Sequence, residues 1–183
     1  MKLKRFLPLM VLALLVVAVA CSPAQTGQSP SPSEDVDAVT TASMVADEAG
    51  FIKAIGADGV WIICLTEDIE TSSELTLEGE FSNGRKDDDG KDILQRKIAL
   101  YAQDNDRNVT DRYTLTAPQI TIKSPEASMQ RGTFVGDIYV ESSNFQLVDM
   151  KVEGNVYFLN ADAEATFQMD DTSTVSGVQE LKE

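Results

Sequence analysis

Two short acidic runs are the first places in this sequence where residue types and spacing could support chemistry. Asp87–Asp92 and Asp104–Asn108 each place carboxylate or amide oxygens at alternating positions. Hard cations such as Ca²⁺ require oxygen ligands of this kind. The second run matches only the opening of an EF-hand loop, because Val109 stands in place of the turn glycine and Leu115 in place of the bidentate glutamate.

The runs therefore suggest a calcium site without specifying one, and the alternative is a pair of solvated acidic loops. The residues that would supply the ligands are Asp87, Asp89, Asp104 and Asp106. No other metal and no organic cofactor is indicated by the sequence.

The residue inventory excludes the common catalytic arrangements. The sequence contains no histidine, so a Ser-His-Asp triad, a Cys-His pair and a histidine metal site are all impossible. A pair of carboxylates of the glycosidase type stays open, because 30 acidic residues form many pairs whose separations the sequence does not give. No pair stands out, so we assign no catalytic residue and expect a protein that is not an enzyme.

A tyrosine recurs within the best internal repeat of the chain. Gly136–Val140 returns 18 positions later as Gly154–Phe158, with glycine, polar, aliphatic, tyrosine and apolar residues in the same order. If each copy is a strand, Tyr139 and Tyr157 point outward and stack about 4.8 Å apart. Such a pair could form a platform for a ligand such as a saccharide, or a ladder that stiffens the stack.

The repeat also predicts the fold. Ile120 and Ile122 precede Ile138 and Val140 by 18 residues, and the i, i+2 spacing places both members of each pair on one strand face. Short strands at one fixed period are typical of solenoids. We therefore predict an all-β fold, a single-stranded right-handed parallel β-helix with coils of about 18 residues. The alternative is an ordinary antiparallel sheet in which the two copies are coincidental.

The residues before the repeat indicate how the domain begins. Residues 43–56 contain a capping residue at Ser43 or Asp47, an apolar stripe and then glycines, which predicts a short helix covering the first coil. We assign residues 43–183 to one domain. The three long loops that interrupt its strands are 83–95, 103–111 and 159–165. Insertions into a repeat protein often lie on a binding face.

The N-terminus has the pattern of an export signal. Three basic residues within the first five precede an uncharged stretch, Phe6–Ala20, that is too short to span a bilayer. Ala18–Cys21 then resembles the lipobox of bacterial lipoproteins, with alanine where that family prefers leucine. The resemblance implies a signal peptide over residues 1–20 and a diacylglyceryl group on Cys21. The alternative is a simple secretory cut that leaves the cysteine unmodified.

The composition of the exported part bears on its partners. Without the three basic residues of the signal peptide, 12 of the 15 basic residues remain against 30 acidic ones. This balance argues against nucleic acid, which is bound through clusters of Lys and Arg. It also repels anionic headgroups, so membrane attachment should come from the acyl chains. Residues 21–42 are rich in Pro and Ser, which predicts a disordered tether after the lipidated cysteine.

The region from the capping helix through Gly154–Phe158 to Val175–Gly177 resembles an uncharacterised family of bacterial lipoproteins with a right-handed β-helix. Its coils are also similar to those of the bactofilins, which are polymer-forming scaffold proteins. These resemblances imply no catalytic residue. We therefore expect a lipid-anchored module of the bacterial cell envelope that acts as a scaffold or an interaction surface. The alternative is a carbohydrate-binding or carbohydrate-modifying envelope protein.

The C-terminus suggests how such a module would associate. Only Gln179–Glu183 follow the last turn, and these are too few residues for a second capping helix. The charged residues Glu180, Lys182 and Glu183 could blunt the strand edge of the uncovered final coil; the alternative is that this edge pairs with another copy. One closed end and one open end favour a tail-to-tail dimer over a filament.

Overall fold

The computed structural model of the chain describes residues 42–182. The predicted signal peptide, the predicted lipidation site at Cys21 and the tether up to residue 41 lie outside this range. The two helices are α1 (Glu48–Ile55) and α2 (Ala161–Thr166). The strands are β1 (Ser43–Val45), β2 (Ile62–Leu65), β3 (Ile69–Glu70), β4 (Leu75–Leu77), β5 (Ser82–Lys86), β6 (Asp92–Leu94), β7 (Arg96–Ala99), β8 (Tyr101–Gln103), β9 (Val109–Arg112), β10 (Thr114–Ile122), β11 (Ala127–Gln130), β12 (Thr133–Val140), β13 (Gln146–Val148), β14 (Lys151–Glu153), β15 (Val156–Phe158), β16 (Gln168–Met169), β17 (Thr174–Val175) and β18 (Gln179–Leu181).

These strands form four sheets. Six of them pair in the order β1-β2-β7-β11-β13-β16, and every pair is parallel. A second parallel sheet has eight strands, with the long strands β10 and β12 at its centre. Two shorter strands, β3 and β4, pair one after the other with the edge of β10 that faces away from β12. Strands β14 and β15 pair in the same way with the opposite edge of β12, and they pair in turn with β17 and β18. The hairpins β5–β6 and β8–β9 are separate antiparallel sheets.

The predicted fold, a single-stranded right-handed parallel β-helix with coils of about 18 residues, is therefore wrong. Residues 42–182 form a mostly-β structure with several sheets, antiparallel as well as parallel, and two helices. The 18-residue register is local, and it joins Ile120 to Ile138 and Ile138 to Val156. The spacing is 45 residues between Leu75 and Ile120, and 23 between Val156 and Gln179. The sequence repeat covers neighbouring segments only. It did not predict the hairpins β5–β6 and β8–β9 or the helix α2, which interrupt the 18-residue spacing in other parts of the domain.

The two parallel sheets bury one shared hydrophobic core. Ile63, Ile98 and Met129 contribute to it from the six-stranded sheet, and all three are fully buried. Leu115 and Phe134 contribute from the eight-stranded sheet and are equally buried. Since side chains alternate between the two faces of a strand, each strand supplies every second residue. Each such side chain stabilises the fold by about 1.5–3 kcal/mol.

Helix α1 covers the core beside the first strands. Its N-cap is Asp47, whose side-chain oxygen accepts a hydrogen bond from the N–H of Gly50 at 2.7 Å. Phe51 points into the core and is fully buried, and the helix packs against β1, β2 and β4. The helix is shorter than the predicted range 43–56, because Ser43–Val45 forms strand β1 and pairs with β2.

A buried arginine fixes the end of α1. Arg96 of β7 is fully buried, and its Nη2 donates to the carbonyl oxygens of Ala54 at 2.8 Å and Gly56 at 3.0 Å. These belong to the carbonyls that a helix C-terminus leaves unpaired. The guanidinium also lies 3.8 Å from the ring centroid of Phe81. Burial lowers the pKa of Arg96 to about 10, so its contacts with the helix come at an electrostatic cost.

The three segments predicted as loops have regular structure. Residues 83–95 and 103–111 lie in the hairpins β5–β6 and β8–β9, while 159–165 contains most of α2. Asn160 caps α2, since its side-chain oxygen accepts from the N–H of Ala163 at 2.8 Å. The helix packs against β15 and β18. Within residues 42–182, neither helix has the length and apolar character needed to cross a membrane.

Candidate functional site

The predicted calcium ligands lie at the tips of the two hairpins. Oδ1 of Asp87 accepts hydrogen bonds from the backbone N–H groups of Asp89 at 3.0 Å and Lys91 at 2.9 Å. Oδ1 of Asp104 accepts the corresponding two hydrogen bonds. They come from the backbone N–H of Asp106 at 2.9 Å and from the backbone N–H of the residue four positions after Asp104 at 2.8 Å. Each first aspartate therefore builds the turn of its own hairpin.

The acidic runs do not combine into a metal cluster. In the part of the chain that the structure describes, no group of three Asp, Glu, Cys or His side chains could hold a metal ion. Oδ1 of Asp87 and Oδ1 of Asp104 already accept backbone hydrogen bonds. A hydrogen bond from the side chain of Asn108, followed by one from its backbone, lowers the pKa of Asp104. The geometry thus lends no support to the calcium hypothesis.

The structure brings together the predicted platform residues Tyr139 and Tyr157. They pair in register on adjacent strands, with ring centroids 5.1 Å apart and ring planes inclined by 38°. Nζ of Lys182 lies 4.7 and 4.5 Å from the two centroids and donates to Oη of Tyr139 at 3.2 Å. That hydrogen bond raises the pKa of Lys182. The tyrosine pair therefore already has a cationic partner within the chain.

A different surface stands out at the C-terminal strands. Strand β16 lies at one edge of the six-stranded sheet, and β17 and β18 lie at one edge of the eight-stranded sheet. Among the strands described here, each of the three pairs on one side only. We call the free outer sides of these three strands the open end. The exposed large hydrophobic residues on or beside it are Leu159, Met169, Val178 and Leu181. A strand edge with exposed apolar side chains is a site where another strand can be added.

The backbone of β18 has one side bonded and one side free. The carbonyl of Val178 accepts from β15 at 2.9 Å, and the N–H of Lys182 donates to β15 at 2.8 Å. Backbone groups of successive strand residues point in opposite directions, so the N–H and C=O of Gln179 and Leu181 face away from β15. The edge therefore offers two residues whose backbone groups can bind an incoming strand.

Asp170 orders the turn between β16 and β17. Its carboxylate accepts from the N–H of Asp149 at 3.0 Å, from the N–H of Ser173 at 2.9 Å and from Oγ of Ser173 at 2.6 Å. The Ser173 hydroxyl, followed by the N–H of Asp149, lowers the pKa of Asp170 from 3.8 to about 2. An ionised carboxylate thus holds part of the open end in place.

Two of the clefts on the surface of residues 42–182 contain several polar side chains and are candidate binding sites. The larger, of 670 Å³, is wide open and contains three carboxylates, but Thr71 binds Glu48 and Lys151 binds Glu153. The smaller, of 280 Å³, lies between the hairpin β5–β6 and strands β11 and β13. Its polar lining consists of the charged residues Arg85 and Glu126 and the uncharged residues Asn83, Gln95, Ser128, Gln130 and Gln146. Side-chain amides carry both donors and acceptors, so the smaller cleft is suited to a ligand rich in hydroxyl groups.

The chain matches no family model, and no curated protein or solved structure is significantly similar to it. The resemblance to bacterial lipoproteins and to bactofilins therefore stays a prediction. Any functional assignment has to be argued from the surface of the domain itself.

Sequence reasoning missed three features of this surface. Asp170 carries no motif that separates it from the other acidic residues. The amide cleft joins the β5–β6 hairpin to strands far along the chain, so no local pattern reveals it. Helix α2 did leave a signal, because Asn160 precedes a short run rich in alanine, as an N-cap does.

Proposed function

We propose that this protein is a lipid-anchored, non-enzymatic module of the bacterial cell envelope whose open end binds another protein strand. The observation that carries the proposal is the free edge of β18, where Gln179 and Leu181 direct their backbone groups away from β15. The exposed side chains of Val178 and Leu181 lie on the same edge. Natural sheets tend to cover, twist or charge their edges, and an edge with exposed apolar residues fits the addition of a strand.

Anchoring through Cys21 is the second part of the proposal. It is supported by the apolar segment Phe6–Ala20, by the match of Ala18–Cys21 to a lipobox and by the acidic composition, which disfavours direct binding to anionic lipid. Metabolic labelling with a fatty-acid analogue tests it. The parent chain should incorporate the label and the Cys21→Ser variant should not, whereas labelling of the variant would contradict the anchor.

Photo-cross-linking of the full chain in bacterial cells tests the interaction role. A photoreactive amino acid replaces Val178 at the open end or, as the control, Ile52 of helix α1, which lies on no strand edge; their exposed fractions are 47% and 42%. We expect adducts from position 178 and none from position 52. The absence of an adduct at 178, or equal adducts at both positions, would contradict the proposal.

The small amide-lined cleft favours carbohydrate binding as a second candidate function. The structure pairs the residues Gln146 and Gln168 on neighbouring strands, but only Gln146 lines the cleft. Calorimetric titration with oligosaccharides of glucose, N-acetylglucosamine and galacturonic acid should show binding that Gln146→Ala weakens and Gln168→Ala preserves. Absence of binding to every oligosaccharide, or an equal loss in both variants, would argue against this candidate.

A further inference from the structure

We propose that the strand added at the open end is β18 of a second copy, paired antiparallel about a two-fold axis through Leu181. The inference rests on the proposed function and specifies its partner and register. It follows from the direction of the backbone groups of β18, the charges along this strand and the exposed side chain of Leu181, of which 40% is accessible to solvent.

A two-fold axis leaves few registers open. It can pass through a residue whose backbone groups face away from β15, which gives a hydrogen-bonded pair of identical residues. The axis can also pass through a residue whose backbone N–H and C=O groups face β15, which gives a pair of identical residues without mutual hydrogen bonds. Within β18 the candidate residues are Gln179, Glu180 and Leu181.

The charges distinguish these registers. An axis through Glu180 places two carboxylates directly opposite each other, which destabilises the pair. An axis through Gln179 places Glu180 opposite Val178 of the second copy and pairs no charges. An axis through Leu181 places Glu180 opposite Lys182 of the second copy, twice by symmetry, and Leu181 opposite its own counterpart. Only this last register pairs both opposite charges and apolar side chains.

Lys182 reaches this contact by a change of side-chain rotamer. The residue is exposed, and its ammonium group lies over the rings of Tyr139 and Tyr157, on the β15 side of β18, where it donates one hydrogen bond to Oη of Tyr139. An ammonium group has three N–H donors, so two more are available for a carboxylate. Because β18 has three residues, the interface is small and the dimer weak in dilute solution. Anchoring of both copies to one membrane raises their effective concentration and favours the pairing.

Disulfide cross-linking of the full lipidated chain in membranes tests partner and register together. In a hydrogen-bonded antiparallel pair the two Cα atoms lie about 5.5 Å apart, which suits a disulfide. Mild oxidation should therefore convert Leu181→Cys into a covalent dimer. Gln179→Cys is the matched control, because the Cα atoms of its two copies would lie roughly 14 Å apart in this register. The parent chain, which retains Cys64, gives the background.

Dimers formed by Leu181→Cys alone, at several times the yield of the control, support the inference. Dimers formed mainly by Gln179→Cys overturn the register, and background yield from both variants overturns pairing with a second copy. The photo-adduct from position 178 then separates the two proposals. An adduct with a mass other than twice that of the chain would contradict pairing with a second copy but support the proposed function, because the open end would then bind another protein. The absence of an adduct would contradict both proposals.

Discussion

The two ends of the domain are closed by different means. At the first strands, α1 buries Phe51 in the core, and its last turn is fixed by hydrogen bonds from Arg96. The carbonyl of Ile55 also accepts from the N–H of Glu78 at 3.0 Å, which joins the helix to the end of β4. The helix, the buried arginine and the strand end form one connected unit.

At the last strands the closure is incomplete. Helix α2 has six residues and buries Ala163 alone, while Phe167 stays half-buried against Phe158, with ring centroids 5.2 Å apart. Beyond them, Val178 and Leu181 are exposed at β18, which pairs on one side only among the strands of residues 42–182. The difference indicates that the first end contributes more to stability than the last end, which is where we propose that a partner binds.

Truncation of the helix anchor at the first end should have the largest effect on stability. Phe51→Ala removes a fully buried aromatic side chain and should lower the free energy of unfolding by about 3–5 kcal/mol. Ile52→Ala changes the neighbouring residue of the same helix, which is 42% exposed, and should cost less than about 1 kcal/mol. Chemical denaturation of both variants measures the contrast. Equal losses would show that α1 does not close the core through Phe51.

The corresponding change at the last end should cost less. Phe167→Ala removes a half-buried ring that packs on Phe145 and Phe158, and we expect a loss of about 1–2 kcal/mol in the free energy of unfolding. The same denaturation experiment checks it. A loss as large as that of Phe51→Ala would mean that both ends are closed equally well, and the comparison would fail.

Acid should loosen the open end through Asp170. The folded-state pKa of this carboxyl is about 2, below its ordinary value of 3.8, so its stabilising effect is present above that value and is lost as pH falls towards about 2. Asp170→Asn should therefore flatten the fall in melting temperature between pH 4 and pH 2. Asp171→Asn changes the exposed neighbour and serves as the control. An unchanged slope in Asp170→Asn would show that this carboxylate does not hold the turn.

Local features of the fold followed from short-range patterns. The pairing of Tyr139 with Tyr157 reflects an identical spacing in two neighbouring segments, and Asp47 precedes α1 as a cap should. The overall fold did not follow, because outside the segment of 18-residue spacing the paired strands are separated by hairpins and a helix of different lengths. No periodicity in a single sequence encodes a pairing such as that of Leu75 with Ile120.

The candidate sites were harder to predict for a related reason. An aspartate that initiates a turn and one that binds a cation occur in the same acidic runs, and only the hydrogen bonds of Asp87 and Asp104 distinguish them. The contact of Lys182 with Tyr139 joins residues 43 positions apart. The residues of β18 whose backbone groups face away from β15 could be identified only from the observed register with β15.

Charge reversal on β18 is the most direct test of the central claim that the open end is a pairing surface. Sedimentation of the full chain in density-matched detergent compares the parent with Glu180→Lys, Lys182→Glu and the variant that carries both changes. Each single change opposes like charges twice and should weaken association about tenfold or more, while the double change restores opposite pairs and should restore association. A parent chain that stays monomeric even at the highest protein concentration, or a double variant as weak as the single ones, would contradict pairing between two copies.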